Sequence, residues 1–354
     1  MIPSYKTLCV AFSQIRAITR TTFLESIQQP VAFLMALFSV AMTLLVPVFQ
    51  FHRFSEAGRL ARDSGFSSLL LFGMALAVET AGRSVSGEIG NGTAASALGK
   101  PVSRPLFLFS KWLGNMAVVL LFWIGEVAAI LIAERASARF IHVGDHAGFF
   151  ADPLSFLLAL GGLALSLVVG AAAHYISRRR FGVTVFWGIA LSQGFVVLLS
   201  GFYNRLGEWY PVHGWKACLD APADAAGALF YHPELNLRII PVALLLLFCL
   251  MVFSALATAL ATRLQPGGVF VVCAGVMLFG LAGDTLLVGD SLFGFKGLLS
   301  ALLPDLQHFW LCDAIAHGGR VSVGYVVQAG GYALTCSALF LLLGCLAFRG
   351  RDLG

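Results

Sequence analysis

Charge is what this sequence has least of. Asp, Glu, Lys and Arg together make up 12% of it, about half the roughly 25% of a water-soluble globular protein. That shortage excludes a surface wetted by water over most of the 354 residues, and leaves no room for a large soluble domain beside a membrane one. Paired cysteines are missing too. The seven Cys form no C-x-x-C, so neither a thiolate metal site nor a disulfide framework is signalled. Cys249, Cys273, Cys336 and Cys345 fall in apolar runs, where a thiol packs as a small hydrophobe. Neither H-E-x-x-H nor a nucleophile elbow occurs, so no hydrolytic centre is expected and the chain is read as non-catalytic. No repeat of halves is visible either, which counts against the inverted-repeat carriers.

What is present is apolar length. Hydrophobic residues are 58% of the chain, with 30 Phe against 7 Tyr and 6 Trp, and the mean hydropathy is +0.86. Runs of about 20 apolar residues match a hydrocarbon core of ~30 Å. Such runs cover 31–51, 66–81, 113–133, 153–173, 183–200, 239–261, 269–288 and 323–348. The expected fold is therefore all-α: a polytopic transmembrane bundle of about eight spans, with six as the alternative if weakly flanked runs are re-entrant. Residues 1–30 form a separate N-terminal piece. Phe12, Ile15, Ile18, Phe23 and Ile27, with Arg16 and Arg20 between them, predict an amphipathic helix along the membrane interface, ended by Pro30. No cleavable leader is expected, because the first firm apolar run starts only at Val31. The helix-like LLPDLQHFWLCDAI (302–315) is expected to lie at the interface as well.

The net charge of +5 sits in short connections between apolar runs, which suits membrane orientation and not nucleic acid. Arg178, Arg179 and Arg180 fill one very short loop, and Lys100, Arg104 and Lys111 lie close together. Placing both groups in the cytoplasm puts both termini there as well. Three isolated polar groups fall within spans: Glu126, Gln193 and Asp284. Each is a candidate for a substrate path or for burial against a neighbouring helix. His142, Asp145 and His146 include metal-ligating types, but read most simply as polar loop residues.

The polar, Gly-rich stretch from Glu79 to Asn115 stands out between its apolar flanks and reads as a docking platform. It is not a phosphate loop. A Walker A sequence would need Gly where Ala94 stands and Ser or Thr where Pro101 follows Lys100. No cofactor is expected on this chain. Residues 84–98 are expected to form a short helix stopped by Gly99.

Read in order, Glu79, Glu88, Gly92-Thr93, Leu98, Pro101-Val102-Ser103-Arg104, Lys111 and Gly114-Asn115 resemble the first cytoplasmic loop of the permease subunits of type-2 ABC exporters. TRLQPG (262–267), the 302–318 segment and the closing FRGRDLG are similar to parts of one permease subgroup. The chain departs in having Ser110 before Lys111, and in the small residues Ala95–Ala97. The resemblance implies a permease domain (31–354) whose cytoplasmic loop 83–112 carries a coupling helix. It implies ATP and magnesium held by separate ABC ATP-binding subunits, pairing with a second permease chain, and a bacterial inner membrane with its lipids around it. On that reading Glu79, Glu88, Gly92, Thr93, Leu98, Pro101, Arg104 and Lys111 are the coupling residues, and the cargo is an unidentified, amphiphilic export substrate. The alternative is a secondary carrier, or a structural subunit of a membrane complex, with no ATPase partner.

Overall fold

A computed structural model of the chain describes residues 5–49, 57–92, 102–143, 146–209, 234–281, 304–312 and 321–349. The helices are α1 (Tyr5–Ile27), α2 (Pro30–Leu45), α3 (Ala57–Ala81), α4 (Arg104–Ala136), α5 (Pro153–Ser177), α6 (Phe181–Ser200), α7 (Ile239–Leu260), α8 (Pro266–Leu281) and α9 (Val323–Arg349). Among the described residues, seven helices are long and apolar enough to cross a membrane: α2 to α7 and α9. The protein is an all-α, polytopic membrane protein. A two-stranded antiparallel hairpin, β1 (Arg139–Val143) with β2 (His146–Phe150), joins α4 to α5, where only a polar connection was expected.

Two helices run well past the expected boundaries. α3 continues through a π-turn (Gly82–Gly87) and a last α-turn (Glu88–Gly90), so the second span extends over Gly58–Gly90, as long as α4 at 33 residues each. At 1.5 Å per residue such a helix is about 50 Å long, some 20 Å more than the hydrocarbon needs. That surplus is enough for the helices to overhang the membrane, and much of the expected platform is these two helix ends. Pro30 and Pro105 lie in the first turns of α2 and α4, where a missing N–H costs nothing. Pro30 therefore starts a span as much as it ends α1.

The interior is made by α3, α4 and α7. In α7 and α4, 78% and 72% of the membrane window is buried, against 22% in α5. Glycines let the inner helices close up: a Cβ on Gly73 would meet Leu250 Cδ1 at 2.6 Å, and one on Gly65 would meet Ile130 at the same distance. Trp123 Nε1 donates to the Ala243 carbonyl at 2.7 Å and ties α4 to α7. The outer faces of α5, α6 and α9 expose Leu157, Val168, Leu191, Phe195, Leu342 and Leu346. That is costly in water and ordinary in lipid.

α7 and α9 run parallel, since Gly330 meets Phe248 and Gly344 meets Ala259. Parallel neighbours require a return crossing between them, and α8 is the element in the right place. Its 16 residues reach about 24 Å, short of a full span. The seventh span, expected at 269–288, is thus this shorter helix, and residues 282–288 lie outside the described ones. In its described part, residues 304–312, the late segment does not show the interfacial helix expected over 302–315. Its described part holds a single 3₁₀ turn, Gln307–Phe309, folded onto α9 by bonds from Tyr325 Oη to the His308 carbonyl (2.8 Å) and from Asp305 N–H to Tyr332 Oη (3.0 Å). Residues 302–303 and 313–315 lie outside the described ones.

The contacts sort the charges by end. One end gathers the α1–α2 corner, the overhangs of α3 and α4, the α5–α6 turn and the tails of α7 and α9. It carries Arg83, Arg104, Lys111, Arg178–Arg180, Arg263 and Arg349, while its described acids are Glu25, Glu79 and Glu88. At the other end Arg59, Arg62, Arg135 and Arg205 are matched by Asp63, Glu134, Asp152 and Glu234.

Candidate functional site at the basic end

The overhangs of α3 and α4 lie side by side, and their charges meet between them. Lys111, 3% exposed, donates from Nζ to Glu88 Oε1 at 2.5 Å; Glu25 of α1 stands 3.9 Å away. The ammonium also lies over the Phe107 ring, 5.6 Å from its centroid. A buried ammonium needs such a partner, because removing it from water without one costs several kcal/mol. Glu88 reaches Lys111 from just beyond the π-turn, a wider turn that is rare and is often found at functional positions. Glu79, one turn before it, pairs with Arg83. Gly92 ends the overhang with φ +72, a left-handed conformation that glycine adopts without strain.

α1 closes over this pair with polar contacts. Thr19 Oγ1 donates to the Ser110 carbonyl at 3.2 Å, and Ser26 Oγ to Asn115 Oδ1 at 3.4 Å. Asn115 Nδ2 in turn donates to Ser84 Oγ, inside the π-turn, at 3.1 Å. Gly114 makes room, since a Cβ there would lie 2.6 Å from Thr22 Cβ. α1 thus seats its Thr19, Thr22 and Ser26 side on α4 and leaves Val10, Phe12 and Leu24 exposed. The expected apolar stripe is split: Ile27 is buried and Phe12 is 71% exposed.

Arg104 has a different task. Its Nη1 donates to the carbonyls of Phe348 (2.5 Å) and Arg349 (2.9 Å), and its guanidinium lies over the Phe348 ring. Arg263 donates to the Ala347 carbonyl. Two guanidiniums therefore cap the C-terminus of α9, where carbonyls and dipole both favour a cation. Of the expected coupling residues, the structure brings Glu88 and Lys111 together and puts Arg104 on α9. Thr93, Leu98 and Pro101 lie outside the described residues, as does the part of the expected 84–98 helix beyond Gly92.

Deeper in the bundle, Glu126 is fully buried. Its Oε1 accepts from Thr43 Oγ1 of α2 at 2.6 Å, while Oε2 is buried with no hydrogen-bond partner. No cation pairs with it among the described residues. Gln193 of α6, also fully buried, donates to the Ala159 carbonyl of α5 at 3.0 Å and leaves its Oε1 without a partner. Asp284 lies outside the described residues, and so does Asp145. His142 and His146 fall on the facing strands β1 and β2.

A polar node at the opposite end has no signature in the linear order of its residues. Arg135 is buried against Asp152, Nε to Oδ2 at 2.6 Å. It also donates to the Ser200 carbonyl and, at 2.7 Å, to that of Tyr203. Asp152 caps α5 through the Ser155 N–H at 3.0 Å, and Ser155 Oγ meets Tyr203 Oη at 2.7 Å. Burial holds the Tyr203 phenol above its ordinary pKa of 10.0, so its hydroxyl keeps its proton well into the alkaline range. Comparisons of the chain with protein families, with curated proteins and with solved structures found no match.

Proposed function

We propose that this chain is the membrane-spanning subunit of a transporter whose basic end is worked by a separate ATP-hydrolysing partner in the cytoplasm. One observation supports the reading above the rest. The stretch that resembles the type-2 exporter loop is borne on two overhanging helices, α3 and α4, locked to each other by Lys111 and Glu88 and to α1 by Asn115. A push on the tip between them reaches three helices at once. Both termini are then cytoplasmic and the membrane is a bacterial inner membrane, in keeping with the gathering of arginines at this end. Two copies of the chain, or this one with a related one, would complete the path.

A second reading asks for less. Glu88 and Lys111 are satisfied within the chain, and Glu126 and Gln193 are buried polar groups inside the bundle, the places where carriers hold what they move. On that reading the protein is a secondary carrier or a structural subunit and needs no ATPase. One experiment separates them: purification of the tagged full-length protein from its own membranes in mild detergent. The first reading expects an ATP-hydrolysing protein to co-purify, and to be lost when residues 93–98 are replaced by an equal length of Gly and Ser. Intact insertion with no nucleotide-dependent partner in either preparation would leave the second reading standing.

A further inference from the structure

We propose that the turn between α5 and α6 binds the headgroup of an anionic phospholipid, with Arg178 and Arg179 on its phosphate and Tyr175 and Ile176 against its chains. Every residue from His174 to Arg180 is exposed, although the helices on either side are apolar spans. Tyr175 and Ile176, at 86% and 78%, are the most exposed large hydrophobics described in the protein. Next to them stand three guanidiniums. Arg180 is held by Gln28 at the α1–α2 corner, whereas Arg178 and Arg179 make no ion pair with any described carboxylate.

The backbone is bent to keep those arginines there. Arg178 ends α5 at φ 54, the left-handed conformation that costs a side chain and suits glycine. The turn closes by an Arg179 N–H bond to the Ala173 carbonyl at 3.2 Å and a contact of His174 Nδ1 with the Arg179 carbonyl at 2.9 Å. Strain held in a non-glycine residue at a surface turn points to a use for its side chain.

The chemistry of the patch selects its occupant. Unpaired guanidiniums fit phosphate oxygens in bidentate fashion, and the net positive turn favours a headgroup with an uncompensated negative charge. Apolar side chains beside those cations fit the boundary where headgroups meet acyl chains. Trp187, less than two turns into α6 and edge-on to Phe23, is placed as an interfacial aromatic would be. α5 is also the span with the least protein cover, which leaves its face open to lipid chains. None of this depends on the identity of the motor, or on there being one.

The test uses the full-length protein in nanodiscs of phosphatidylcholine with a minor share of phosphatidylglycerol. It is then released into mild detergent, and the retained lipids are counted by native mass spectrometry. Wild type is expected to retain phosphatidylglycerol in preference to phosphatidylcholine. The double variant Arg178→Gln/Arg179→Gln should lose that preference roughly tenfold, each arginine contributing several-fold, with an unchanged melting profile. Arg59→Gln, at a half-buried arginine paired with Asp63 at the opposite end, should keep it. Equal retention of the two lipids by wild type would overturn the proposal, as would a preference that survives the double substitution. Loss of a co-purifying protein with the lipid preference intact would mark the turn as a protein contact and overturn it too.

Discussion

At Gly114 the bundle has no room for a methyl group: Thr22 Cβ and the Thr19 carbonyl lie 2.6 and 2.9 Å from where a Cβ would be. Gly114→Val should therefore lift α1 from α4, at about 1–3 kcal/mol, the usual cost of overpacking. The check is a lowered melting temperature together with faster proteolysis within α1. Gly114 and Asn115 were visible in the sequence as part of a motif, but not the reason for them, because Ser26 lies 89 residues away from Asn115. Glu126 and Gln193 were legible for the opposite reason, as lone polar groups in apolar runs. Arg135 escaped notice because an arginine at the end of a span reads as one reaching for water. Its partners, Asp152 and the carbonyls of Ser200 and Tyr203, come together only in the fold. Arg135→Met should leave Asp152 buried and uncompensated and cost about 3–5 kcal/mol, read as a loss of folded protein on heating in detergent. The double change Arg135→Met/Asp152→Leu should recover part of that loss.

Helix identity was the most readable level, since apolar runs of the right length can do little else in a membrane. Helix ends were not. The polar, Gly-rich stretch reads as a platform with a separate short helix from residue 84, yet Ser84 and Val85 are buried and α3 carries straight on through 82–90 without a break, because packing outweighs weak propensity. α8 tests the topology. If it carries the chain from one face to the other between the parallel helices α7 and α9, cysteines introduced at Gln265 and Asp305 in a cysteine-free background will react with an impermeant reagent from opposite sides. Labelling of both from the same side would remove α8 as a crossing.

For the whole molecule, the uneven distribution of arginine sets one face apart from the other, and that asymmetry could be anticipated from the short basic connections. What no linear reading could show is how the chain's distant parts are fastened. Arg104 is bound to carbonyls 244 and 245 residues later. Truncation after Leu346 should remove those acceptors while leaving α9 apolar enough to insert. The shortened protein is expected to reach the membrane in normal amount but to melt at lower temperature, and Arg104→Met should add little further loss in that background.

That fastening also has a bearing on time. During synthesis the guanidiniums of Arg104 and Arg263 emerge well before the carbonyls they grip, which α9 supplies 244 and 84 residues later. Until α9 has been made the bundle cannot finish closing, and α4 and α7 stay open on the side that α9 fills.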